Sequence, residues 1–412
     1  MKKLISCCFL FISLAASSQT LSYTTFEDEE DAMPSTVLES NSTERDKTIS
    51  LDSRKAILSN RANRLLKKAD ELFDMMWYAE AAKYYEQGLK KINGIPSKHI
   101  LQRAGDAQYY TSNMERAHFW YGLLYENYKN ELSADHIFKY AHALKGNSKY
   151  GKAKRMMRLY RKVHAVAPGH SKREKVLETI LGTSQEAEIK NMAINSKYSE
   201  FSPMFFNQDK IVYASAKDSG FLTTRRYKWN NQPYLDLYVA RINKTSLDLK
   251  GQKKFSKKVN TKYHEASVTF SPDGQTMYFT RNNSNGKRVV WGEKKVNHLK
   301  IYKSVLVNGE WSEAMELPFN SNEYSTGHPA LSPDGKLLYF VSDRPGSMGK
   351  TDIFVVDVLE NGNFSAPRNL GPEVNTGERE MFPFVNNEKL YFSSDGHTGL
   401  GGLDIFQAMY EN

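Results

Sequence analysis

Cysteine is almost absent from this chain of 412 residues: only Cys7 and Cys8 occur, both inside the first eighteen positions, which read as a removable leader. The rest of the chain therefore has no disulfide, no thiolate metal ligand and no cysteine nucleophile. Long apolar runs are missing too. No segment beyond the leader reaches the roughly 20 apolar residues that a membrane-spanning helix needs. The sequence contains no His-Glu-x-x-His, no Gly-x-Ser-x-Gly and no phosphate-binding loop, and its 10 histidines are scattered. No catalytic residue, metal ligand or cofactor is expected.

At the N-terminus, Lys2 and Lys3 precede an apolar run from Leu4 to Leu14. Ala16-Ser17-Ser18 follows with small side chains ahead of Gln19. This is the grammar of a secretory signal peptide over 1–18. Leu4-Ile5-Ser6-Cys7 resembles a lipoprotein box, but cleavage there leaves no apolar stretch before the cysteine. Residues 19–53 are acidic, with Glu27-Asp28-Glu29-Glu30-Asp31 in front, and read as a disordered linker. Export makes nucleic acid an unexpected partner and places the chain in the periplasm, free or attached to the outer membrane.

Repetition begins near residue 54. Small residues recur as Ala69, Gly105 and Ala141, and again as Ala81, Ala117 and Ala153. A bulky series runs Tyr85, Tyr121, Met157, and every step is 36 residues. That period predicts helix-turn-helix units of tetratricopeptide type over 54–165, with Asn93-Gly94-Ile95-Pro96 and Gly146-Asn147 as turns. Such arrays stack into a solenoid with a concave face. Lys139 to Lys162 holds nine Lys or Arg and no Asp or Glu. Two readings stand: a solvated helix face, or a surface for an acidic partner using Lys152, Lys154, Arg155, Arg158 and Arg161.

A connector over 166–194 opens with Pro168-Gly169-His170. From 195 to 412 the grammar is that of strands and hairpins. Four units align, opening at Glu200-Phe201-Ser202-Pro203, Glu265-Ala266-Ser267-Val268, Thr326-Gly327-His328-Pro329 and Glu380-Met381-Phe382-Pro383. Turns such as Ser271-Pro272-Asp273-Gly274 and Ser332-Pro333-Asp334-Gly335 follow, because Pro presets the first turn dihedral and Gly accepts a positive one. Return strands such as Leu338-Tyr339-Phe340-Val341-Ser342 lead through Gly-containing loops to third strands such as Asp352-Ile353-Phe354 and Asp404-Ile405-Phe406. Repeats of this length with several strands predict propeller blades. The expected fold class is α+β multidomain: a helical array, then a β-propeller of four recognisable blades.

The run from Ser332 to Arg344 resembles the WD40-like repeat of the Tol-system periplasmic propeller. The order of modules resembles the N-terminal two-thirds of the Bacteroidetes OmpA-family proteins, together with Tyr198-Ser199-Glu200-Phe201-Ser202-Pro203, Pro233-Tyr234-Leu235-Asp236-Leu237-Tyr238 and Leu400-Gly401-Gly402-Leu403-Asp404-Ile405-Phe406. The resemblance covers most of the chain beyond residue 54. It implies outer-membrane or secretion-machine partners, type IX secretion among them. Those proteins continue with more blades and a C-terminal OmpA-like domain, so peptidoglycan binding does not carry over. A gene fragment, a split protein whose partner completes the ring, and a small propeller are all open expectations.

Candidate sites in the propeller each have two readings. Asp343 with Asp352, and Asp395 with Asp404, bracket loops nine residues apart, as carboxylates for a hard cation or as bonds to their own loops. Glu200, Glu265 and Glu380 share one column and would line a channel rim or sit in loops. Trp229 and Tyr234, in the long loop of the first unit, would anchor a partner or pack over a blade. Three functions follow: an interaction scaffold, a glycan- or ligand-binding propeller marked by aromatics in its channel, and the accessory propeller of a hydrolase.

Overall fold

The computed structural model describes residues 57–58, 60–163, 190–217, 225–285, 288–360, 362–386 and 389–409. The expected leader, the acidic linker and most of the 166–194 connector lie outside the described residues.

Among the described residues six α-helices form three hairpins: α1 (Asn60–Asp74) with α2 (Tyr78–Leu89), α3 (Lys98–Tyr110) with α4 (Met114–Tyr128), and α5 (Ala134–Lys145) with α6 (Tyr150–Val163). A short ribbon of β1 (Ile57–Leu58) and β2 (Ile92–Asn93) stands beside the first hairpin. The period of the sequence reappears in the backbone. Met76, Ser112 and Ser148 hold the same turn position with φ of 58°, 62° and 59°. The next amide in each case reaches back five residues: Trp77 to Leu72, Asn113 to Gln108 and Lys149 to Leu144, all at 2.9 Å. This Schellman-type closure satisfies a terminal carbonyl and turns the chain into the second helix. Ser97, Asn113 and Ser133 cap the following helices through their side-chain oxygens.

Helix approach explains the small residues. A Cβ on Gly105 would lie 2.5 Å from the Tyr121 ring. The Tyr121 hydroxyl donates to Asp106 at 2.6 Å, as the Tyr85 hydroxyl does to Asp70 one repeat earlier. Each acid also meets a cation of the next hairpin, Arg103 on Asp70 and Lys139 on Asp106. In the third hairpin both members of the pair change together: the acid becomes His142 and the tyrosine becomes Met157.

Four β-sheets follow as blades of a propeller. Blade 1 runs β3 (Glu200–Phe206), β4 (Lys210–Ser215), β5 (Asp236–Ile242) and β6 (Leu249–Lys254). Blade 2 has β7 (Glu265–Phe270), β8 (Thr276–Asn282) and β9 (Leu299–Val307), whose outer edge takes β10 (Glu310–Trp311) and β11 (Met315–Glu316). Blade 3 comprises β12 (Thr326–Leu331), β13 (Leu337–Ser342), β14 (Asp352–Asp357) and β15 (Arg368–Asn369). Blade 4 comprises β16 (Glu380–Asn386), β17 (Lys389–Ser394) and β18 (Asp404–Met409). Within each blade the strands pair antiparallel.

Apolar cores lie between successive blades, where the alternation of each strand places its large side chains. An asparagine fastens each seam. Asn260, Asn320 and Asn375 lie in the segments entering blades 2, 3 and 4. Each accepts from the backbone N–H and donates to the C=O of one residue in the third strand of the preceding blade: Leu237, Ile301 and Ile353. Replacing Asn375 by alanine strands the buried Ile353 peptide and is expected to cost about 2–3 kcal/mol. Urea denaturation tests this; an unchanged midpoint would show that the seam does not depend on the clamp.

The inner strands share a bulge. Ser202, Ser267, His328 and Phe382 occupy one column and have φ of 51°, 37°, 51° and 53°. The irregularity turns these side chains towards one another around the axis. The Ser202 and Ser267 hydroxyls are 2.9 Å apart, and Ser267 lies 3.0 Å from His328 Nδ1. The Phe382 ring stands 4.2 Å from His328 and 5.7 Å from Phe201 of blade 1.

Candidate functional site

Glu200, Glu265 and Glu380, read either as lining a channel rim or as sitting in solvated loops, are instead buried inside their blades. Glu265 is 0% exposed. It accepts from the Thr261 N–H and hydroxyl and pairs with Arg281 Nε at 2.9 Å. Glu200 takes the same two bonds from Ser196 and a third from Ser215. Glu380 takes them from Thr376 and Ser394. A hydroxyl residue four positions earlier thus clasps the loop that enters blades 1, 2 and 4, leaving none of the three acids exposed to a partner. Burial pushes the Glu265 carboxyl up to about 7 against the pull of Arg281 and Thr261.

Of the four aspartates, Asp352 and Asp404 bond within the loops they bracket, whereas Asp343 and Asp395 each bond the residue just before the inner strand of their own blade. Asp343 accepts from the Ser325 N–H, and Asp395 accepts from the Arg379 N–H and guanidinium. Asp352 holds the Met348 and Gly349 amides, and Asp404 holds the Gly401 amide.

Trp229 lies at the junction of helices and propeller. Its ring meets Tyr78 edge-on at 4.7 Å and stands 5.7 Å from Tyr110. Its Nε1–H donates to the Tyr110 carbonyl at 2.9 Å, and its own carbonyl accepts from the Ala79 N–H at 3.1 Å. Lys228 beside it pairs with Glu80 at 3.2 Å and lies over the Trp77 ring. Trp229, read either as an anchor for a partner or as packing over a blade, is instead occupied by the chain's own helices. Tyr234 stays within the propeller, against His264 and under Arg225.

A second junction joins the third hairpin to blades 3 and 4. Lys350 bridges Asp135 at 3.0 Å and Glu378 at 2.8 Å, and the Tyr160 hydroxyl donates to Glu378 at 2.6 Å. His142 is buried close by. Its ring nitrogens have no well-formed hydrogen bond, although the Asp395 backbone is near enough to favour the charged form slightly. Burial, with Lys145, Arg379 and Lys350 around it, holds its pKa well below the ordinary value. The helices thus rest across one face of the propeller, touching blade 1 at one end and blades 3 and 4 at the other.

On α6, Ala153, Met156 and Tyr160 face inward. Arg155 and Arg158 are exposed, while Lys152, Lys154 and Arg161 are half-buried. Lys152 lies 5.8 Å from the Tyr140 ring, and Lys154, Arg158 and Arg161 are each engaged by a partner.

Two features carried readable signals that the candidate residues passed over. The axial column is the third residue of each aligned opening. The clamps are the pairs Val259-Asn260, Phe319-Asn320 and Val374-Asn375, where an apolar residue precedes asparagine each time.

At the axis, burial lowers His328 to about 4. Because that lies below the ordinary 6.5, its contribution is complete above pH 6.5 and is lost as pH falls towards 4. About 2 kcal/mol should be gone by pH 5. Urea midpoints across pH 7 to 5 check this, with His328→Asn expected to flatten the slope; equal slopes would contradict it.

No protein-family model matches this chain, and no curated protein matches it. Among solved structures it has a slight likeness to hydrazine synthase of Kuenenia stuttgartiensis: 13% identity over 49% of this chain and 55% of that one, TM-score 0.27. A puromycin-hydrolyzing peptidase of Mycobacterium tuberculosis is 19% identical over 52% of this chain and 38% of that one, TM-score 0.30. The exo-β-1,3-galactanase 1,3Gal43A of Clostridium thermocellum is 12% identical over 50% of this chain and 47% of that one, TM-score 0.29. The chain spans about half or less of the length of each, and likeness this slight carries neither chemistry nor substrate from those proteins to this one.

Proposed function

We propose that this chain is a non-enzymatic interaction scaffold of the bacterial envelope. In this reading it is exported by its leader, and a tetratricopeptide-type array is joined to a WD40-like propeller of the kind found in OmpA-family envelope proteins. Its partners are outer-membrane or secretion-machine proteins.

One observation carries the reading. Ser202, Ser267, His328 and Phe382 converge at the propeller axis, and the helices lie across one face, keyed by Trp229 and Lys350. Helices keyed to the propeller by the chain's own side chains support a rigid platform. Both repeat types present extended surfaces suited to other macromolecules.

The test is cell fractionation followed by affinity purification of the tagged chain from its own host's envelope, with partners quantified by mass spectrometry. Stoichiometric recovery of envelope proteins is the expected result. A chain found in the cytoplasm, or recovered alone from the envelope, would refute the proposal.

A further inference from the structure

Each blade joins its second strand to its third by a loop at the end of the sheet where the helices rest. In blade 1 that loop carries Lys228 and Trp229, in blade 3 it carries Lys350, and in blade 4 it begins at Asp395, beside His142. All three are committed to the helices. In blade 2 the loop runs from Asn283 to His298, and among the described residues no hydrogen bond or ion pair joins it to a helix.

This loop displays an indole. The chain has five tryptophans. Trp120 and Trp311 are buried, Trp77 and Trp229 pack at the junction, and Trp291 is 59% exposed. The backbone beneath it is fixed. The Val290 N–H donates to the Asn283 carbonyl at 3.0 Å, and the Gly292 N–H donates to the Val296 carbonyl at 2.9 Å. Asn297 Nδ2 donates to the Asn283 and Val290 carbonyls. Gly292 lies so close to the Asn322 carbonyl that a Cβ has no room there. An indole presented from a backbone bonded on both sides loses little freedom when it binds.

Cations flank it. Arg288, Lys294 and Lys295 of the same loop are exposed. On the blade 1 side Arg225 and Arg226 are exposed as well, and their guanidinium groups donate to the Lys262 and Asn231 carbonyls rather than to acids. Hydrogen bonds connect the two sides: the His264 N–H donates to Asn282 Oδ1 at 3.1 Å, and Asn282 Nδ2 donates to Asn297 Oδ1 at 2.7 Å. Among the described residues none of these five cations is ion-paired. Glu293 and Glu323 are exposed acids beside Trp291.

The contact in blade 1 shows what such a loop takes. Trp229 stands against the rings of Tyr78 and Tyr110, and the adjacent Lys228 pairs with Glu80. An aromatic and a carboxylate close together on one polypeptide, Tyr78 and Glu80, meet an indole and a cation.

We propose that the blade 2 loop is a docking site for an acidic segment of a partner protein, with an aromatic side chain next to its carboxylates. The aromatic packs on Trp291, and the carboxylates meet Arg288, Lys294 and Lys295. The ring contact is the anchor, and the charges supply orientation and speed of encounter. Glu293 and Glu323 oppose a uniformly anionic surface such as a lipid bilayer. The proposal deepens the scaffold reading and rests on it, since it names the kind of partner such a platform takes.

The probe is a fluorescein-labelled peptide, Ser-Tyr-Ala-Glu-Asp-Glu-Glu-Ser, which repeats the tyrosine and glutamate of the blade 1 contact. It is titrated with the full chain at low salt and followed by anisotropy. Saturable binding is expected, weakening as salt rises. Trp291→Ala should weaken it about tenfold and Trp291→Phe should keep most of it, while Arg288→Glu combined with Lys294→Glu should abolish it. All three side chains are exposed, so the variants should fold, and their thermal melts verify this.

A flat titration up to about 1 mM peptide overturns the proposal. Equal binding of hexaglutamate overturns it as well, because the surface would then take any polyanion. Binding that appears only after Glu27, Asp28, Glu29, Glu30 and Asp31 are exchanged for their amides would give the site to the chain's own acidic stretch and overturn the partner assignment. Envelope proteins that still copurify beside a flat titration would leave the scaffold reading standing and remove only this one.

Discussion

Trp229→Ala is expected to separate the helical hairpins from the propeller. The indole fills the angle between Tyr78 and Tyr110, and its N–H is bonded to the Tyr110 carbonyl. Removing it leaves a cavity and an unpaired carbonyl, which together cost about 3–5 kcal/mol. That loss falls on the contact between modules rather than on either core. Calorimetry is therefore expected to show two transitions for the variant and one for the wild type. The Ala79 amide, which donates to the Trp229 carbonyl, should exchange its hydrogen faster. Trp229→Phe should lie between, since it keeps the ring and loses the N–H. A single transition at the wild-type midpoint would mean that the modules are held together by something else.

Arg281→Met is expected to destabilise blade 2 by about 3–5 kcal/mol, because it leaves Glu265 buried without its cation. The guanidinium also donates to the Val259 carbonyl, so the seam to blade 1 weakens as well. The variant should acquire a distinctive pH dependence. Burial already raises the Glu265 carboxyl to about 7, above its ordinary 4.5. A folded value above the unfolded one gives stability that is full below pH 4.5 and is lost as pH rises through the folded value. Without Arg281 the loss should steepen from pH 5 to 8, and adding Glu265→Gln should restore much of it. Denaturation midpoints of the single and double variants provide the measure. Equal losses at every pH would assign the effect to packing rather than charge.

The repeats were readable in the sequence because they are local. The 36-residue period fixed where Ala69, Gly105 and Ala141 would sit, and the αL turns at Met76, Ser112 and Ser148 obey the same spacing. The strand grammar likewise placed the four aligned openings on the inner strands β3, β7, β12 and β16. The roles of Trp229 and the glutamates were harder to read. A loop aromatic looks the same whether it meets a foreign protein or a helix about 150 residues earlier in the same chain; docking between modules leaves no periodic trace. The glutamate column read as a channel rim or as solvated loops because acids at such positions are usually exposed, and burial overturned both. Its partners, Ser196, Thr261 and Thr376, stand four residues earlier in the same column, so the clasp was written in the sequence but needed the strand register to be recognised.

The axial column has a consequence for how this propeller can change. Its occupants are Ser202, Ser267, His328 and Phe382, and they meet in one shared space. Blades 1 and 2 are thus alike at the centre, whereas blades 3 and 4 differ from them and from each other. Replacing blade 3 or blade 4 by a copy of another would change the volume brought to the axis and leave a clash or a void. Recombination of whole units, the usual route by which repeat proteins grow and diversify, is therefore constrained at blades 3 and 4 unless the column is rewritten at the same time.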